Sequence, residues 1–68
     1  MVYLKLKDSQ NNGKILKFDP TSGSQELFNN ETNEWQQVNI VFDYLLPYND
    51  KFELYTEISE SEAMKYVA

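Results

Sequence analysis

Apolar and polar residues alternate from the second position of the chain. Val2, Leu4 and Leu6 fall on one side, and Tyr3, Lys5 and Lys7 on the other. A period of two marks a strand with one buried face, so a first strand is expected over Val2–Lys7. A second is expected over Lys14–Phe18, after the turn signal Asn11-Asn12-Gly13. Pairing Leu6 with Leu16 and Leu4 with Phe18 keeps the large apolar side chains on one face. That register sets Asp8 opposite Lys14 and leaves residues 9–13 as the loop.

Two similar turns follow. Phe18-Asp19-Pro20-Thr21-Ser22-Gly23 combines a side chain that accepts local backbone hydrogen bonds, a residue with preset φ and a glycine. Ten residues later Phe28-Asn29-Asn30-Glu31-Thr32-Asn33 repeats the scheme, with Asn29 in the place of Asp19 and Asn33 in that of Gly23. Asparagine is the usual substitute for glycine at positive φ. The pair reads as two successive hairpin turns with a short strand, Gln25–Phe28, between them.

The next segment is ambiguous. From Trp35 to Leu46 the even positions read Val38, Ile40, Phe42, Tyr44, Leu46 without interruption. This favours a fourth strand over the competing helix, Ile40–Leu46 capped by Asn39, because β-branched and aromatic residues dominate. A turn at Pro47-Tyr48-Asn49-Asp50 leads to a fifth strand, Phe52–Ile58. Its inward residues are Phe52, Leu54, Thr56 and Ile58. Matching inward faces pairs Leu46 with Phe52, Tyr44 with Leu54 and Phe42 with Thr56. Ser59-Glu60-Ser61-Glu62 is a capping box, and Ala63, Met64 and Val67 follow on one face of a short helix. So short a helix persists only when packed on something. The expected fold is therefore α+β and mainly β. It is a five-stranded antiparallel meander, short enough to curl toward a small barrel, with a C-terminal helix, in one domain over residues 1–68.

Composition narrows the function classes. The chain has 68 residues, with 15 % aromatics and no histidine or cysteine. A Ser-His-Asp triad, a thiol nucleophile, a Cys/His metal cage and a histidine switch are excluded. No apolar run approaches the roughly 20 residues of a membrane span. The N-terminus lacks the apolar core of a signal peptide. The absence of cysteine fits a reducing cytoplasm, the expected compartment. The net charge is −5, distributed as +3 over residues 1–18 and −8 over residues 19–68.

Candidate chemistry is sparse. Glu53 and Glu57 are about 13 Å apart along a strand, beyond the spacing of a glycosidase pair. The oxygen-rich run Asn29 to Glu34 lacks the spacing of a calcium loop and reads as a turn. Lys5, Lys7 and Lys17, with Tyr3, make a small basic face in a protein of pI 4.4, a poor footprint for nucleic acid. What remains is the odd-numbered face of the fourth and fifth strands. It carries Trp35, Val41, Leu45 and Tyr55, bordered by Asp43, Glu53 and Glu57. Aromatic anchors with a charged rim match a protein–protein interface. These seven residues are the candidate partner-binding set. The expected function is a small acidic interaction module without enzymatic activity or cofactor. It docks on a protein with a basic surface, or on a second copy of itself. Two alternatives stand: an acidic mimic of nucleic acid, and a carbohydrate-binding module that stacks sugars on Trp35 and Tyr55.

Overall fold

The computed structural model describes residues 1–67. Five strands, β1 (Val2–Leu6), β2 (Ile15–Phe18), β3 (Gln25–Asn29), β4 (Glu34–Gln37) and β5 (Tyr55–Ile58), form one antiparallel sheet. Two helices accompany it, α1 (Val41–Leu45) and α2 (Glu60–Val67). The strand order is β4-β3-β2-β1-β5, and the sheet is open rather than closed into a barrel.

The first four strands meander, and the fifth does not follow the fourth. β5 pairs with β1, with Tyr3 opposite Ile58 and Leu6 opposite Tyr55. The expected pairs of Leu46 with Phe52, Tyr44 with Leu54 and Phe42 with Thr56 are therefore not formed. Successive antiparallel pairings make β4 and β5 run in the same direction at opposite edges. A tight hairpin cannot join two strands so related; a long crossover must. Residues 38–54 are that crossover. They lie against one face of the sheet, where Val41 and Tyr44 complete a core with Leu4, Leu6 and Leu16.

The segment read as one long strand is thus a short strand followed by a helix. Ile40, Val41, Tyr44 and Leu45 recur at helical spacing and pack inward, while Phe42 stays half exposed. The cap comes from far away in sequence. Gln25, buried on β3, accepts the backbone N–H of Ile40 and of Val41 at its Oε1, both at 2.8 Å. Asn39, the cap in the competing helical reading, instead accepts a bond from the Gln25 amide at 3.4 Å.

The first hairpin differs from its expected register by two residues. Leu4 lies opposite Leu16, and Val2 opposite Phe18. A shift of two leaves every side chain on its original face, so hydrophobic patterning cannot detect it. The loop decides the register. The Gly13 N–H donates to the Leu6 carbonyl at 2.8 Å, and Leu6 N–H donates to Lys14. Asp8 is thereby released from pairing with Lys14 and turned inward.

The opposite face of the sheet carries a second core. Tyr3 and Ile15 pack with Ala63 of α2, and Trp35, Ile58 and Val67 lie against them. The α2 cap forms at Ser59, whose hydroxyl accepts the Glu62 N–H at 3.1 Å. Both repeated turns adopt their expected chemistry. Asp19 accepts the Thr21 N–H and Asn29 accepts the Glu31 N–H, while Gly23 and Asn33 sit at φ values of +79° and +58°. No helix of the described residues is long and apolar enough to cross a membrane.

Candidate functional site

The seven residues expected on one docking face are divided between the two sides of the sheet. Val41 is fully buried, and Leu45 and Tyr55 pack around the same core. These three do come together, as interior rather than as surface. Trp35 lies on the opposite face, at the far edge of the sheet. There its ring meets Phe28 edge-on at 5.3 Å and carries the Lys17 ammonium over its face at 4.3 Å. Lys17 also pairs with Glu26 at 3.2 Å. Asp43 is half buried and accepts a bond from the Asn49 side chain. Glu53 and Glu57 are exposed. The continuous odd face does not exist, because the segment carrying Val41, Asp43 and Leu45 is a helix and β5 sits at the other edge.

The basic face is engaged as well. Lys5 donates to the Tyr66 hydroxyl at 3.2 Å, and its ammonium lies over that ring at 4.5 Å. Lys17 is held by Trp35 and Glu26. Two of the three lysines on this face are thus already paired within the chain.

Two groups of residues emerge that the strand reading did not single out. The first is a polar cluster beneath the crossover. The Asp8 carboxylate is buried at 5 % exposure and accepts the Tyr44 hydroxyl at 2.6 Å. The Asn11 amide donates to the same hydroxyl oxygen at 3.2 Å. The other carboxylate oxygen faces the Lys51 ammonium at 3.7 Å, and Lys51 also donates to Gln10 at 3.0 Å. Burial alone would raise the Asp8 pKa. The Tyr44 bond, the Lys51 charge and the backbone amides of Asp8 and Asn11 together outweigh it and hold the carboxyl below its ordinary value. Tyr44 moves the other way. Burial and then its bond to the Asp8 carboxylate push the phenol up to about 12. Both shifts lead away from neutrality, the opposite of what a group poised for proton transfer requires.

The second group is apolar and lies on the crossover. Phe42 is 50 % exposed, Tyr48 83 % and Leu54 39 %. Phe42 contacts Phe18 edge-on at 6.3 Å, so its ring is braced on one side and open on the other. Asp50 and Glu53 are exposed on the same segment, and its lysine, Lys51, is turned toward Asp8. Glu53 holds a φ of +66°, fixed by its N–H bond to the Tyr44 carbonyl at 3.1 Å. The helical spacing of residues 40, 41, 44 and 45 was the signal for this surface, since it turns position 42 outward.

Among the described residues no group of histidine, cysteine or carboxylate side chains is arranged to hold a metal ion. Comparison with family models, curated proteins and solved structures yields no match to this chain.

Proposed function

We propose that the chain is a small acidic protein-interaction module without enzymatic activity, and that it docks through its crossover rather than through a sheet face. The observation that carries this reading is the exposure of Phe42, Tyr48 and Leu54 on one segment, residues 38–54, with Asp50 and Glu53 exposed beside them. Large aromatic anchors flanked by charge are the usual energetic centre of a protein interface. The partner is a protein with a basic surface. Carboxylates on the crossover and a net charge of −5 steer association toward positive charge. The same charge makes two copies of the chain repel one another.

Affinity measurements on a partner isolated by capture on the immobilised chain test this reading. Tyr48→Glu and Phe42→Glu should each weaken binding more than about tenfold, the scale of losing an interface anchor. Unchanged affinity in both variants would overturn it. Binding that survives both changes and collapses with added salt would point to a mimic of nucleic acid instead.

A further inference from the structure

We propose that Asn12 is a site of spontaneous deamidation, and that the rate is set by opening of the loop between β1 and β2. The chemistry requires a backbone nitrogen to attack the preceding side-chain amide. The Gly13 nitrogen, having lost its proton, bonds to Cγ of Asn12; the amide nitrogen leaves as ammonia, and a cyclic imide results. Water then opens the imide at either carbonyl, giving an aspartyl or an isoaspartyl residue.

Asn12 is the asparagine best placed for this reaction. It is exposed, so water reaches it, and glycine follows it. Nothing lies within 4 Å of the position a Gly13 Cβ would occupy, so no other part of the fold crowds the glycine on that side. The other asparagines, Asn11, Asn29, Asn30, Asn33, Asn39 and Asn49, precede residues whose side chains crowd the attacked amide.

The fold restrains the same nitrogen. Gly13 N–H donates to the Leu6 carbonyl at 2.8 Å, and Lys14 N–H donates to the Asn11 carbonyl at 3.0 Å. While these bonds hold, the Gly13 proton is retained and its nitrogen points at Leu6 rather than at Asn12. Reaction therefore proceeds from the opened loop, whose population is set by a local unfolding equilibrium. The product changes the chain in two ways. It adds a negative charge to the loop that carries Asp8, and the isoaspartyl form inserts an extra backbone carbon beside the Asn11 contact to Tyr44.

The test is a timed incubation of the purified chain in mildly alkaline buffer, with and without denaturing urea, followed by peptide mapping for aspartyl and isoaspartyl products. Circular dichroism confirms that the urea-free sample is folded. Modification should appear first at Asn12, proceed roughly tenfold or more slowly in the folded chain, and vanish from the loop peptide in Asn12→Gln. Equal rates with and without urea, or earlier modification at another asparagine, would overturn the proposal.

Discussion

The Tyr44 hydroxyl donates to the Asp8 carboxylate at 2.6 Å, joining α1 to the loop after β1 across 36 positions of sequence. One bond thus ties the crossover to the first hairpin. It also gives the fold a defined response to pH.

Tyr44→Phe should lower stability by about 1.5–3 kcal/mol, the range for a hydrogen bond to a charged group. The pH dependence follows from the two shifts. The Asp8 pKa lies below its ordinary value, so its stabilisation is present above the unfolded pKa and is lost as pH falls through the folded one. The Tyr44 pKa is raised from 10.0 to about 12, so its stabilisation is present below the unfolded value and is lost as pH rises through that window. Urea unfolding followed by far-ultraviolet circular dichroism should therefore show an alkaline decline in the wild type. Tyr44→Phe should lack the share of that decline that belongs to this residue.

Gln25 caps a helix from another strand. Gln25→Ala would strip the Ile40 and Val41 N–H groups of their acceptor, and the second of these is buried. An unsatisfied buried donor costs about 1–3 kcal/mol. The loss should appear as a lower urea midpoint. Gln25→Glu, which keeps an acceptor oxygen in place, should retain more of the stability than Gln25→Ala.

Leu45 and Phe42 lie on the same helix and should respond to the same substitution with very different losses. Leu45→Glu sets a carboxylate against the core beside Asp43 and should cost about 3 kcal/mol or more, enough to unfold much of so small a domain. Phe42→Glu forfeits little beyond its edge contact with Phe18, a cost of about 1 kcal/mol. Paired thermal melts of the two variants make the comparison.

Sequence signals suffice where local bonds decide the outcome. The Asp19 and Asn29 turns, the positive φ of Gly23 and Asn33 and the Ser59 cap all depend on residues within five positions of one another. The mainly β sheet with a C-terminal helix was legible from alternation and the capping box. Three features were not. The hairpin register shifted by two because both registers bury the same residues. Residues 41–45 form a helix because Gln25 supplies its cap from β3 and helical spacing packs Ile40, Val41, Tyr44 and Leu45 on the core. β5 joined β1 because the open edge of β1 lies where that crossover ends. The expected docking set scattered for the same reason: its common face depended on β4 and β5 being neighbours. Strand parity points Phe42 inward, and the helical period turns it out.

The proposed docking surface is residues 38–54. Its most direct measurement is an amide chemical-shift map of the isotopically labelled chain, titrated with the captured basic partner. Perturbations should concentrate on Phe42, Tyr48, Asp50, Glu53 and Leu54 and leave the α2 face, including Trp35, unchanged. Perturbations centred on Trp35, or on Glu57 with Glu60 and Glu62 while the crossover stays silent, would contradict the account.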